Sequence, residues 1–297
     1  MVISVHKILP RTYILRGGFV HKKILLLLTL ALLAVPLLPV YAGAALELDG
    51  KLLSDGDPVV IEGRLMVPVR PVFEELGYAL SGNLEEGIVL AQKKNHKIEI
   101  CLWEPKLVVN GKEMSLTAAP QLIMGKTFLS EQDLAKLLDL QNFRAKGTDQ
   151  VVLFSKPELT REGVIRHLLA ADRQLMRAEY YNNQEFLAQH NIAPSPKIVT
   201  RDDLIMLLGR HWSAHFIENL WAAGSRDGQY IGFFSEGSIP LLYSKELAVT
   251  ELTGTGAKVE VKLPLWGNED MTRFEERVYT LNRDKEGNLL ITNVECK

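Results

Sequence analysis

Two stretches of the chain share one pattern of hydrophobic and polar positions. In "LELDGK", 46–51, and "LVVNGK", 107–112, apolar residues alternate up to an Asp-Gly or Asn-Gly pair. That pattern predicts a β-hairpin in each. "DPVVIEGRLMVPV", 57–69, and "APQLIMGKTFLSE", 119–131, follow, with Pro58 over Pro120 and Gly63 over Gly125. "FEELGYAL", 73–80, and "LAKLLDL", 134–140, read as short helices; "GIVLAQ", 87–92, and "QVVLFS", 150–155, read as closing strands. Each unit reads as hairpin, strand, short helix, strand. At roughly sixty residues it buries too little alone, so two units are expected to pack as one domain.

Past "SKPELTREG", 155–163, the period changes. Thr160 is placed to cap a helix whose apolar stripe is Val164, Ile165, Leu168, Leu169, Leu175 and Met176. A polar stretch with "APSPK", 193–197, reads as a loop. A second helix is predicted over 201–223, with Thr200 and Asp203 as capping box and Gly224 as its stop. Strands are then expected at 228–234, 238–244, 247–254, 258–266, 273–283 and 289–296, with "DKEG", 284–287, as a tight turn. Helices followed by a meander predict an α+β fold: helices on a curved antiparallel sheet, as in cystatin-like cones. The expected organisation is an N-terminal extension and signal peptide at 1–42, a doubled β-β-α-β domain at 46–156 and an α+β domain at 158–297.

Charge is unevenly distributed. Residues 1–42 hold Lys7, Arg11, Arg16, Lys22 and Lys23 and no acid, which leaves 29 basic and 36 acidic residues in the remainder. A mildly acidic chain argues against a nucleic-acid partner. "HKK", 21–23, then "ILLLLTLALLAVPLLP", 24–39, then "VYA", 40–42, has the form of an export signal with small residues before its cleavage point. Secretion to the cell envelope is the expectation, with membrane attachment only through an uncleaved leader. Cys101 and Cys296 are permitted to pair outside the cell. They read instead as two unrelated thiols, since Cys296 sits on the tail.

Candidate chemistry is sparse. His211 and His215 in "HWSAH" are spaced to share a helix face and are the best metal candidates, with Glu218 or Asp172 as distant third ligands. A metalloprotease needs Glu after the first histidine, and Trp212 stands there. Nucleotide-binding, dinucleotide-binding and nucleophile-elbow signatures do not occur in the sequence. Glu275 and Glu276 alternate across a predicted strand, so they cannot act as a pair. The reading is a non-enzyme without cofactor. The loop "PLWGNEDM", 264–271, is the candidate partner-binding element, with Trp266 as anchor and Glu269 and Asp270 as charged contacts. Trp221, Phe233, Phe234, Tyr243 and Tyr279 are alternative pocket residues.

Two resemblances sharpen these expectations. "VNGK" and "GRLMVPVRPVFEELG", with the doubled pattern over 46–156, resemble the stalk domain, also called the copper amine oxidase N-terminal-like domain. In the second copy Ser130 replaces a proline, and Asp133 falls where an arginine is expected. The resemblance implies an exported protein and, despite the name, does not imply copper, with which His96 as the segment's single histidine agrees. The prolines and Arg70 read as structural, with Arg70 pairing Glu74. Residues 207–244 resemble the peptidoglycan DL-endopeptidase inhibitor (IseA-type) family at Leu208, Trp212, Ser213, Phe216, Gly228, Tyr230, Pro240 and Tyr243. That resemblance, over about 158–297, implies a non-enzymatic restraint on a cell-wall cysteine endopeptidase. A wall-polymer or small-ligand binding module is the rival expectation.

Overall fold

The computed structural model describes residues 45–83, 86–144, 150–232, 241–264 and 273–297; the export signal expected at 1–42 lies outside the described residues. The fold is α+β. Two large hydrophobic clusters underlie it, one built from residues 46–153 and one from residues 164–291, with smaller ones at Val59, Met66 and Phe128 and at Met176, Leu187 and Ile192.

The first repeat runs β1 (Leu46–Leu48), β2 (Lys51–Leu52), β3 (Val59–Ile61), β4 (Arg64–Pro68), α1 (Val69–Glu75), β5 (Ala79–Asn83) and β6 (Ile88–Lys93). After a linking strand, β7 (His96–Cys101), the second runs β8 (Lys106–Val109), β9 (Lys112–Ser115), β10 (Gln121–Ile123), β11 (Lys126–Ser130), α2 (Glu131–Leu137), β12 (Gln141–Arg144) and β13 (Val151–Phe154). Each unit therefore holds a second hairpin before its helix and a third after it, where single strands were expected.

The copies interlock. Their central hairpins form one sheet, β10-β11-β4-β3, joined by antiparallel pairing of Leu129 with Val67. The closing hairpin of the second copy pairs with the opening hairpin of the first, β13 lying parallel to β1. The closing hairpin of the first reaches the opening hairpin of the second through β7, in the sheet β5-β6-β7-β8-β9. Phe73, Leu129 and Leu134 are fully buried where the copies meet. Burial of such side chains contributes about 1.5–3 kcal/mol each.

The helix starts, Val69 and Glu131, correct one expectation. Their offset puts Asp133 opposite Pro71, and Gln132 opposite Arg70. In α1 the prolines set the bend and Arg70 pairs with Glu74 at 2.8 Å, as expected. In α2 hydrogen bonds replace them: Asp133 N–H donates to Ser130 Oγ at 3.1 Å, and Thr117 Oγ1 donates to Asp133 Oδ2 at 2.8 Å.

In the C-terminal region α3 (Arg161–Glu179) starts on Thr160 as predicted, its side chain accepting from Gly163 N–H. A short helix missing from the sequence reading, α4 (Gln184–Gln189), is capped by Asn183. The helix expected over 201–223 is two: α5 (Arg201–Leu208), with the predicted Thr200–Asp203 capping box, and α6 (Ala214–Gly224), capped by Ser213. Tertiary contacts break it. Buried Trp212 donates its indole N–H to Ala171 O at 3.0 Å. Ser213 N–H donates to Ile291 O, and Ile291 N–H to His211 O.

After β14 (Ser225–Arg226) and β15 (Gln229–Tyr230), residues Leu241–Tyr243 form a 3₁₀ turn in place of the end of the expected strand at 238–244. A meander follows, β16 (Glu246–Leu252), β17 (Gly256–Pro264), β18 (Phe274–Arg283) and β19 (Leu289–Cys296). Irregularities at Val249/Glu251 and Thr280/Leu281 curl this sheet around α3, α5 and α6. Asp284 accepts Gly287 N–H to close the predicted tight turn.

Candidate functional site

The helix break separates the two candidate metal histidines. His211 lies buried in the break, its ring 4.8 Å from that of His167, and its Nδ1 has no hydrogen-bond partner. His215 is the second residue of α6, exposed and 3.2 Å from Asn219 Nδ2. Glu218 is taken by Arg201, and Asp172 Oδ2 accepts Leu241 N–H at 2.9 Å. The pair at 211 and 215 thus shares no helix face. Burial pushes His167 down to about 4 and His211 well below the usual imidazole range. Both rings are neutral core groups.

Other candidates also resolve. Trp266, Glu269 and Asp270 lie outside the described residues, as do Phe233, Phe234 and Pro240. Tyr279 is buried in the core, and Tyr243 Oη is 2.7 Å from His190 Nε2. Leu208 and Trp212 are core residues, with Phe216 packed beside them. Cys101 and Cys296 are free thiols, and Cys296 Sγ donates to Glu275. In the repeat region His96 Nδ1 is 2.6 Å from Tyr78 Oη. Among the described residues no three His, Cys, Asp or Glu side chains gather around a point, so they do not fit a copper site.

The feature suited to a ligand was not legible as a motif. A groove of about 520 Å³ runs between the C-terminal end of α3, the extended stretch 195–199 and β15. Buried Tyr230 forms its floor, donating its hydroxyl to Ala178 O at 3.1 Å. Trp221 stacks behind it with ring planes 12° apart. Tyr181 forms one wall, its hydroxyl donating to Tyr230 O and its ring against Gly232. Ile198 is buried beneath, while Val199 and Ile231 are exposed at 47% and 54%. Asn182, Gln229 and Lys197 also line the groove or its rim, and no carboxylate does among the described residues. The sequence signal was tyrosine spacing across two elements, which no periodicity connects.

This architecture is that of a doubled β-hairpin module followed by helices on a curled sheet. Residues 47–153 match the family model of the copper amine oxidase N-terminal domain, which agrees with the stalk resemblance. No curated protein matches the chain. Among the described residues no helix is long and apolar enough to cross a membrane.

Proposed function

We propose that this is an exported, non-catalytic protein of the cell envelope whose C-terminal region binds wall polymer in the Tyr181–Tyr230 groove. The observation that carries this reading is the groove's chemistry. Two aromatic rings are fixed by hydrogen bonds to backbone carbonyls, so little rotamer entropy is lost on binding. Amides at Asn182 and Gln229 suit hydroxyl and acetamido groups, and Lys197 suits an acidic substituent. The leader and the stalk-type region support the location.

Restraint of a wall cysteine endopeptidase is the second reading, favoured by the likeness at 207–244 and by the order of helices and strands. One experiment separates the two. Protein lacking residues 1–42 is sedimented with purified cell walls, and separately added to cysteine endopeptidases digesting those walls. The groove reading expects co-sedimentation, weakened about tenfold, or about 1.4 kcal/mol, by Tyr181→Ala with Gln229→Ala at unchanged melting temperature. Slowed digestion without wall binding would favour the second reading. Neither effect would remove both.

A further inference from the structure

The groove rim is attached to the stalk-type region. Residues 191–193 lie alongside β2: Leu52 N–H donates to Asn191 O at 2.8 Å, and Ala193 N–H donates to Gly50 O at 3.0 Å. Pro194 O accepts from Arg177 Nε at 3.0 Å and Nη2 at 2.7 Å. The same guanidinium donates through Nη1 to Glu47 Oε1 at 2.7 Å. Glu47 is fully buried in β1, and its other oxygen accepts from Gln150 Nε2 at 2.9 Å. Arg173, one helical turn before Arg177, donates to Asp49 O at 2.9 Å. Every residue from 191 to 194 but buried Ile192 is thus tied by its backbone to the first-repeat hairpin, or to the arginine that hairpin holds. The next residues, Ser195 to Val199, are the rim.

We infer that the Asp49-Gly50 hairpin is a strut that sets the conformation of the groove rim, with Glu47 and Arg177 as its positioning residues. A buried arginine left without its carboxylate is strongly disfavoured. Loss of Glu47 therefore releases Arg177 from Pro194, and with it the start of the rim. The stalk-type region is on this view part of the binding apparatus. The effect on ligand affinity rests on the groove reading; the positioning does not.

The rim supplies its own probe, since Lys197 is exposed and its peptide bond to Ile198 is a trypsin site. Limited trypsinolysis of the full chain, followed by mass spectrometry, compares cleavage at Lys197 with cleavage at Lys285 in the 284–287 turn. Glu47→Gln is expected to speed cleavage at Lys197 about tenfold and leave Lys285 within about twofold. Arg177→Lys keeps a positive charge for Glu47 but loses the paired donation to Pro194 O. It gives the same result and serves if Glu47→Gln does not fold. Lys94→Ala, which removes an exposed ion pair with Glu162, is the control without effect. Unchanged cleavage at Lys197 in both variants, or an equal rise at both sites, overturns the inference. In wall sedimentation Glu47→Gln then weakens binding about fivefold. If wild-type protein binds no wall, the groove reading falls while the trypsin result still decides the strut.

Discussion

Asp49 and Asn110 hold the same place in the two repeats and the same left-handed backbone, with φ of 52° and 50°. They serve different ends. Asp49 is buried, its carboxylate accepting the backbone N–H of Ser155 at 2.8 Å and its hydroxyl at 2.6 Å. Asn110 is exposed, and its side chain accepts Lys97 N–H at 2.8 Å. Burial pushes the Glu47 and Asp49 carboxyls above their usual range, against the opposing pull of Arg177 on the first and of the Ser155 hydrogen bonds on the second. One hairpin of the pair has become an internal joint, and the other has stayed a surface turn.

The adjacent glycines should report that difference. Gly50 and Gly111 have φ of 79° and 80°, so alanine is strained by about 1 kcal/mol at either. At Gly111 the added methyl meets open space; at Gly50 it would lie 2.6 Å from Gln174 Nε2. Urea unfolding should show Gly50→Ala destabilised by at least about 1 kcal/mol more than Gly111→Ala, the cost of overpacking. Equal effects would mean the hairpin does not press on α3.

Asp133 caps α2 and anchors Thr117, accepting from its backbone N–H and its hydroxyl as well as from Ser130 Oγ. Asp133→Ala leaves the buried Ser130 hydroxyl and the Thr117 donors without this acceptor and should cost about 1–3 kcal/mol by chemical denaturation. Arg70→Ala at the other repeat removes an exposed pair and should cost under about 0.5 kcal/mol. The reverse order would place the stability of the repeat in the wrong helix.

Trp212→Phe keeps most of the ring and deletes the indole N–H that holds Ala171 O. The expected loss is about 1–2 kcal/mol, from the deleted hydrogen bond and a small cavity, since Ala171 O keeps its partner within α3. Calorimetry that finds less than about 0.5 kcal/mol would show that the break between α5 and α6 does not depend on this bond.

The buried titratable groups predict opposite pH slopes. His167 is held near pH 4 and His211 lower, so the unfolded state binds more protons below about 6.5. Stability should fall as pH drops from about 6.5 towards 4, and His211→Phe should flatten that fall. Asp172 is pushed up to about 7 by burial, with Leu241 N–H, Arg173 and Arg277 opposing. Its contribution is fully present below about 3.8 and lost as pH rises through 7. Asp172→Asn keeps an acceptor for Leu241 N–H and should be more stable than wild type at pH 8 but not at pH 4. Denaturation midpoints across pH 4–8 test both signs.

Local chemistry determined much of this protein from sequence alone. Asp49-Gly50 and Asn110-Gly111 announced their hairpins, because few residue pairs accept two left-handed conformations in succession. Thr160, and Thr200 with Asp203, announced helix starts, because their side chains answer backbone N–H groups three residues away. Tertiary structure decided what depends on partners far along the chain. The apolar period runs through 201–223 without pause, and Gly209 and Ser213 were its only local warnings; the bonds from Trp212 to Ala171 and between the 211–213 backbone and Ile291 turned it into two helices. That same break parted His211 from His215. Glu47 reads in sequence as the outward residue of an alternating strand. It is buried because Arg177, 130 residues later, meets it, and a charge enters an interior only where its counterpart is already placed.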